Sequence, residues 1–259
     1  MMRSIYTKTL YQKRFFILGW SVGLIALTIF TVLFFPMFTS SDIAKSFDQL
    51  PDSMKSIAGD ASSFETLENY VTQQVFIGNT LLIILILTIM MFSSLTAGEE
   101  QRKTLETQLS LPLRRRNILF HKLLAGLSII MVAGVAICGS ILAGAAIINE
   151  PYGTLTAIQQ TVVCLLVGVG YGMLAFMLGA WTGRRGVALG IASAVGFASY
   201  ILHALSTTAA VFGAVDKFTL FYYFQPGSME LIDWTVLLVV PTVLALLAFV
   251  GFAKRDLKG

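Results

Sequence analysis

Few side chains in the apolar parts of this chain are suited to acid–base, metal or nucleophilic chemistry. His203 is the single histidine within the stretches that hold no charged residue, and we place no Asp or Glu near the middle of any of them. Ion-coupled carriers usually need such carboxylates, because a charge inside a membrane is costly and is kept for function. A lone histidine in an apolar helix is more often packed and hydrogen-bonded than a proton relay, so we interpret His203 as a packing residue.

The sequence lacks the common nucleotide and zinc motifs. It contains no G-x-x-x-x-G-K-[ST] loop and no H-E-x-x-H pair, so we expect no ATP to bind this chain through a P-loop. Cys138 and Cys164 both fall within apolar stretches, where a thiol acts as a small packing residue. We therefore predict a chain that is not an enzyme and holds no cofactor or metal of its own.

One charged segment, from 98 to 122, has the spacing of an exposed helix. Acidic residues stand where we expect a helix to begin, and opposite charges four residues apart can pair. Two leucines form a small apolar face, and Pro112 ends the pattern. We predict a short helix that a partner protein grips. Its candidate contact residues are Glu99, Glu100, Arg102, Leu105, Glu106 and Leu109.

An aromatic run lies between the last two apolar stretches. Aromatic residues favour the interface between lipid and water, so one interpretation is an interfacial belt. The other is a short re-entrant element that closes one end of a transport pathway, and the spacing favours neither. The candidate residues are Phe221, Tyr222, Tyr223, Phe224 and Pro226.

Six stretches without charge must position these residues. A membrane-spanning helix needs about 20 apolar residues, and each stretch has room for one. The 259 residues are 56% hydrophobic and 12% charged, whereas soluble domains carry about 25% charged residues. We predict an all-α polytopic membrane protein with one domain, 1–259, and spans at 15–37, 72–97, 118–148, 157–181, 187–212 and 234–253.

The basic residues predict the orientation of this bundle. If the N-terminus is inside, the inner connections hold 15 Lys and Arg residues and the outer connections hold 3. This positive-inside bias predicts both termini in the cytoplasm. The net charge of +4 follows from that bias, so we expect no nucleic-acid partner. Residues 1–14 mix apolar and basic side chains, which predicts a helix on the lipid surface.

Two weaker patterns concern packing. The loop 39–70 has apolar residues at helical spacing, which predicts amphipathic helices that lie on the outer membrane surface or cap the bundle. Glycines spaced four apart allow helices to approach closely, either within one chain or between copies. These pairs are Gly19 and Gly23, Gly168 and Gly172, Gly179 and Gly183, and Gly186 and Gly190.

The segment after the second span resembles the permease subunits of ABC-2 type transporters. Their pattern is an acidic helix start, then a Leu and a Pro, then basic residues and a Lys before the third span. Here it reads Ala97-Gly98-Glu99-Glu100-Gln101-Arg102-Lys103-Thr104-Leu105-Glu106, then Leu109-Ser110-Leu111-Pro112, then Arg115 or Arg116, then Lys122. Many members have Gly-Thr in place of Lys103-Thr104. Leu50-Pro51, Gly59-Asp60 and the stretch near Pro226 extend the resemblance along the whole chain.

The resemblance implies a six-span half-transporter. Such a subunit pairs with a second permease subunit, identical or homologous, and with two cytoplasmic ABC ATPase subunits that bind ATP and Mg²⁺. The acidic helix then transmits the movement of the ATPases, and most members export. Because the spans hold few polar residues, we expect an apolar or amphipathic substrate. The alternatives are an ion-coupled secondary carrier, which the lack of central carboxylates disfavours, and a non-transporting scaffold or sensor subunit.

Overall fold

The computed structural model describes residues 5–38, 66–101, 115–206, 213, 215–225 and 228–254, without the side chains at 38, 99–101 and 115. These residues form nine α-helices and one π-helical segment, and none of them lies in a β-strand. The α-helices are α1 (Ile5–Gln12), α2 (Arg14–Leu33), α3 (Phe35–Phe38), α4 (Leu67–Tyr70), α5 (Leu81–Gln101), α6 (Arg115–Ile148), α7 (Thr154–Thr182), α8 (Arg185–Ser206) and α9 (Leu231–Lys254). The π-helical segment, Val71–Thr80, joins α4 to α5.

Six units in this part of the chain are long and apolar enough to span a membrane, which confirms the predicted all-α polytopic fold. They are Arg14–Met37, Leu67–Gly98, Arg116–Ile148, Thr154–Thr182, Arg185–Ser206 and Leu231–Lys254. Each begins earlier than the predicted span, because polar residues beside an apolar run also join the helical hydrogen bonds. The predicted loop helices at 39–65 and the predicted end of the fifth span at 207–212 lie outside the described residues.

The charged side chains divide the bundle into two ends. The basic end carries the described side chains of Lys8, Lys13, Arg14, Arg116, Lys122, Arg184, Arg185 and Lys254. The acidic end carries Glu68, Glu150, Asp216, Glu230 and Asp233, together with Lys217. Contacts between helices show which termini lie together: Lys13 Nζ donates to Ser94 Oγ at 2.8 Å at the basic end. At the acidic end, the Tyr70 hydroxyl donates to the Thr31 carbonyl at 3.0 Å.

Helix α7 lies at the centre of the bundle, where it contacts α5, α6, α8 and α9. Its face toward α5 is lined by Gly168, Gly172 and Gly179. A Cβ atom at Gly172 would lie 2.5 Å from Phe92 Cδ2 and 3.0 Å from Thr88 Cβ, so glycine alone fits without movement. This close approach lets the Phe92 ring of α5 meet the Phe176 ring of α7 edge-on, with 5.8 Å between the centroids.

The other predicted glycine positions have different uses. Gly19 and Gly23 on α2, and Gly186 and Gly190 on α8, would each place a Cβ with no heavy atom within 4 Å. Gly183 ends α7 with a left-handed backbone, φ 64°, and its N–H bonds to the Gly179 carbonyl at 3.0 Å. A glycine is favoured there because a side chain strains this conformation. Two small-residue faces therefore remain open on the surface of the bundle.

The predicted N-terminal helix is present as α1. It lies against α6, where the Tyr6 hydroxyl is 3.0 Å from Ser128 Oγ. Tyr11 and Gln12 are exposed, whereas Thr9 is buried against the bundle. The helix is thus part of the fold, and its position on a lipid surface stays a prediction.

We predict that Gly172→Ala lowers the free energy of unfolding by about 1–3 kcal/mol, the usual cost of overpacking a core. The physical reason is the 2.5 Å approach of the new Cβ to Phe92. Gly190→Ala is the matched control, since it makes the same change in open space and alanine is the better helix former. Thermal unfolding of both purified variants in one detergent is the measurement, and equal stability would contradict the packing assignment.

Candidate functional site

A buried polar cluster lies at the acidic end, where the chain beyond α8 folds back on the bundle. Asp216 exposes only 4% of its side chain. Its Oδ2 lies 3.0 Å from His203 Nδ1 and 2.9 Å from Ser206 Oγ, and its Oδ1 lies 2.9 Å from Thr219 Oγ1. Both carboxylate oxygens therefore have partners, as a charge removed from water requires.

The sequence pattern points to one half of this pair. A lone histidine in an apolar helix favours a packed, hydrogen-bonded His203, and the contact with Asp216 agrees with that interpretation. Asp216 does not stand out in the sequence, because it comes directly after the apolar stretch that ends at Val215 and reads as part of the connection. The available signal was Thr219, since a hydroxyl three residues after an Asp is well placed to share a turn with it.

Phe221 packs beside this cluster and ties it to two spanning helices. Its side chain is fully buried, and its ring stacks on Tyr171 of α7 with 5.3 Å between the centroids. The ring also lies edge-on to Tyr200 of α8 at 5.7 Å and stacks against His203 at 6.1 Å. The Tyr171 hydroxyl accepts a hydrogen bond from the Leu220 N–H at 3.3 Å. We call residues 215–225 the aromatic segment; it is held against both α7 and α8.

The other predicted aromatic residues divide between the interior and the surface. Phe224 is buried, and its ring centroid lies 6.0 Å from that of Phe76 in the π-helical segment. Tyr222 and Tyr223 are half-buried and meet edge-on at 5.3 Å. Pro226 lies outside the described residues. Phe221 and Phe224 thus pack inside the bundle, and both interpretations of this run, a re-entrant element and an interfacial belt, stay predictions.

The π-helical segment presents amide side chains on the surface of an otherwise apolar span. Asn79 is exposed, Gln73 and Gln74 are partly exposed, and Asn79 Nδ2 donates to the Gln74 carbonyl at 2.8 Å. π-helical turns are rare and are frequent at functional sites. An amide that faces lipid finds no hydrogen-bond partner there. This face therefore suits water, a substrate or another protein subunit.

A chain of hydrogen bonds joins the start of α7 to the start of the second span. The Tyr152 hydroxyl donates to Gln160 Oε1 at 2.7 Å, and Gln160 Nε2 donates to Thr72 Oγ1 at 2.8 Å. Thr72 in turn donates to the Glu68 carbonyl at 2.8 Å. Burial raises the pKa of the Tyr152 hydroxyl above its usual range, and the Glu68 carboxylate raises it further. The network fixes the acidic ends of these two helices to each other.

At the basic end, α5 continues without a break to Gln101. Our prediction that a helix begins at Glu99 is therefore wrong: Glu99 and Glu100 lie in the last turn of α5, because backbone hydrogen bonds continue past the last apolar residue. The side chains of both residues lie outside the described part of the chain. So do the other candidate contact residues, Arg102, Leu105, Glu106 and Leu109, whose role stays a prediction.

Basic side chains from other helices lie beside the C-terminal end of α5. Lys13 of α2 donates to Ser94, and the Arg185 Cδ of α8 lies 3.4 Å from the Cβ position of Gly98. Cations are favourable there, because the C-terminus of a helix carries partial negative charge. Lys122 of α6 is buried at the same end of the bundle. The end of α5 is thus surrounded by helices that carry positive charge.

The described residues offer no further constellation for catalysis. No three His, Cys, Asp or Glu side chains among them come together as metal ligands, and Cys138 and Cys164 are free thiols. Residues 19–23 match the letters G-x-S-x-G, but they lie within the continuous helix α2. A hydrolase nucleophile requires a sharp strand-to-helix turn at that motif, so these residues do not form one.

Comparison with known families places most of the chain in a single match. A family model described as ABC-2 family transporter protein matches residues 18–257. The matched range includes the aromatic segment, the π-helical segment and the whole of 98–122. No curated protein matches the chain significantly.

We predict that Asp216→Asn destabilises the protein by about 1.5–3 kcal/mol, the usual worth of a hydrogen bond to a charged group. The amide keeps the shape of the side chain but cannot accept hydrogen bonds on both arms. Lys217→Gln is the matched control, because the Lys217 side chain is exposed at the next position. Thermal unfolding of the purified variants is the measurement.

The His203 partner provides a second test of the same cluster. In a double-mutant cycle, Asp216→Asn and His203→Gln should be coupled, because residues in one hydrogen-bond network are not additive. Additive losses of stability would show that the two side chains do not depend on each other.

Proposed function

Because this chain belongs to the ABC-2 transporter family, we propose that it is the membrane subunit of an ATP-driven exporter in a prokaryotic inner membrane. Members of the family are membrane components, and ATP and Mg²⁺ bind to separate cytoplasmic ATPase subunits. The chain itself then contributes no catalytic residue. Its work is to form the pathway and to change conformation when the ATPases do.

The continuity of the second span is the observation that carries this proposal. Helix α5 runs unbroken from Leu81 to Gln101, and the π-helical segment follows directly at its other end. The segment that we predict to bind an ATPase, Glu99–Leu111, overlaps the end of this helix. A displacement of that segment is passed along α5 to the amides of the π-helical segment, because packed helices move as units rather than deform.

We propose an apolar or amphipathic substrate. The surface amides Gln73, Gln74 and Asn79 form a small polar patch on a span with a mean hydropathy of 2.6. A wide hydrophilic conduit needs polar groups along its whole length. Export of a long charged polysaccharide by the purified complex would contradict this substrate class.

We also propose that two permease subunits form the functional unit. One six-span bundle has no second wall to enclose a pathway at the amide patch, and the open glycines of α8, Gly186 and Gly190, leave a small-residue face for close packing. Native mass spectrometry that finds a single copy able to stimulate the ATPase and to transport would contradict the pair.

An ion-coupled carrier remains the second candidate, and the Asp216–His203 contact is the observation that favours it. A buried carboxylate next to a histidine is the type of group that such carriers use. Asp216 lies at the acidic end rather than midway along the spans, and both of its oxygens are engaged within the chain. Transport that persists when the ATPase is inactivated, and that Asp216→Asn abolishes, would identify the carrier.

We predict that both termini lie in the cytoplasm, because the basic residues fall on the inner connections. In a variant with Cys138 and Cys164 replaced by serine, a cysteine at Ser62 should react with a membrane-impermeant maleimide on intact cells. A cysteine at Gln108 should react only after permeabilisation. The reverse pattern of labelling would overturn the orientation.

The coupling role of the segment 99–111 gives a further prediction. Leu105→Asp together with Leu109→Asp should abolish ATPase association and transport, because a carboxylate cannot fill an apolar groove without a costly loss of hydration. Membrane insertion should be unchanged, since neither residue lies in a span. Co-purification of the ATPase and a transport assay on the same membranes are the measurements.

A matched variant separates this effect from a general effect of added charge. In the predicted helix, with 3.6 residues per turn, Thr107 falls between the two leucines in sequence and on the face opposite to them. Thr107→Asp adds a carboxylate to the same segment and should leave ATPase association near the wild-type level. If the double leucine variant assembles and transports like the wild type, the segment does not couple the ATPase.

A further inference from the structure

An apolar groove runs along the outside of the bundle between α2 and α5, with a volume of about 470 Å³. Phe15, Phe16 and Gly19 line it toward the basic end, and Leu27 and Ile83 line it toward the middle. From Phe15 to Leu27 a helix rises about 18 Å at 1.5 Å per residue. That length is close to one leaflet, which is half of the roughly 30 Å hydrocarbon core.

Two glycines form the floor of the groove. A Cβ at Gly19 or at Gly23 would meet no heavy atom within 4 Å, so the space above them is open. This distinguishes them from Gly172, whose space is filled by Phe92. An apolar chain laid along this face would contact the helix backbone closely, as small residues permit in membranes.

Two cations stand at the basic end of the groove, each over an aromatic ring that lines it. Arg14 Cζ lies 4.8 Å from the centroid of the Phe15 ring and 4.1 Å from that of Tyr11. Lys13 Nζ lies 5.9 Å from the centroid of the Phe16 ring. Among the described side chains, no carboxylate lies within 4 Å of the Arg14 guanidinium. An exposed guanidinium at a membrane surface is suited to a phosphate, which it binds through two parallel hydrogen bonds.

We propose that this groove binds one anionic phospholipid from the leaflet at the basic end. One acyl chain lies over Gly19 and Gly23, and the phosphate binds at Arg14, with Lys13 adding positive charge. The site depends on the membrane location of the bundle and on none of the proposals about substrate, ATPase or direction. It therefore stands or falls separately from the transport function.

Charge favours a lipid over a second copy of the chain in this groove. If two copies packed side by side on this face, with their α2 helices parallel, the Lys13 and Arg14 side chains of both would lie at the same depth. Like charges at short range repel. A phospholipid brings the opposite charge to the same depth, and anionic headgroups attract basic residues beside a membrane-spanning helix.

The test is native mass spectrometry of the purified full-length chain in detergent, titrated with phosphatidylglycerol or phosphatidylcholine. Gly19→Leu with Gly23→Leu fills the groove in open space and should lower the affinity for both lipids. Gly186→Leu with Gly190→Leu is the matched control, since these glycines are equally open on α8, and it should bind both lipids like the wild type. Arg14→Gln should reduce the preference for phosphatidylglycerol about tenfold, the loss of one charge-assisted hydrogen bond.

Three outcomes would overturn the proposal. Unchanged lipid binding in the filled-groove and Arg14 variants would mean that lipids bind elsewhere on the bundle. Equal losses of lipid affinity in the α2 and α8 leucine variants would show that added leucines weaken lipid binding non-specifically. If the α2 leucine variant loses the dimer but keeps the lipid adduct in the mass spectrum, the occupant of the groove is a second copy of the chain. If the leucine variant does not insert, the surface variant Arg14→Gln decides alone: an unchanged preference for phosphatidylglycerol overturns the phosphate site, and a reduced one supports it.

Discussion

The close approach of α5 and α7 is the contact on which the rest of the bundle depends. Lipid tails are as apolar as leucine side chains, so helices in a membrane gain little from burying apolar surface against one another and must associate by fit. Gly168, Gly172 and Gly179 supply that fit on α7. Helices α8 and α9 pack on other faces of α7, and the aromatic segment binds to it through Tyr171. A side chain at Gly172 would therefore disturb more than one helix pair.

The two ends of the bundle differ in how their polar groups find partners. At the acidic end, Asp216 and Gln160 are buried and bonded within the chain. Asp233 accepts a hydrogen bond from the Glu230 N–H at 2.8 Å, which caps the start of α9. At the basic end, Arg14 and Lys254 are exposed. The polar groups of the acidic end are thus largely satisfied within the chain, whereas the basic end leaves charged side chains on its surface.

The sequence was sufficient for the features that depend on composition, and insufficient for those that depend on which faces meet. Charge-free stretches located all six spans because lipid excludes charge. Glycine spacing predicted close packing, but the pairs Gly168/Gly172 and Gly19/Gly23 look alike in sequence. Only the surrounding structure shows that side chains fill the space beside the first pair and that the space beside the second pair is open. Asp216 was missed because its partners His203 and Ser206 come from a different helix. The helix start predicted at Glu99 was wrong because acidic residues, which favour a helix N-terminus, do not determine where the hydrogen bonds of the preceding helix stop.

The π-helical segment is the part of the second span best placed to change conformation. On one side of it, Thr72 is bonded through Gln160 to the start of α7. On the other side, α5 is packed against the glycines of α7 from Gly168 onward, so α5 and α7 move together. A π-helical turn departs from the regular α-helical ladder, and such turns are frequent at functional sites. A pull on the basic end of α5 would therefore be absorbed between Val71 and Thr80, where Phe76 contacts Phe224 of the aromatic segment. That contact joins the π-helical segment directly to the aromatic segment at the acidic end.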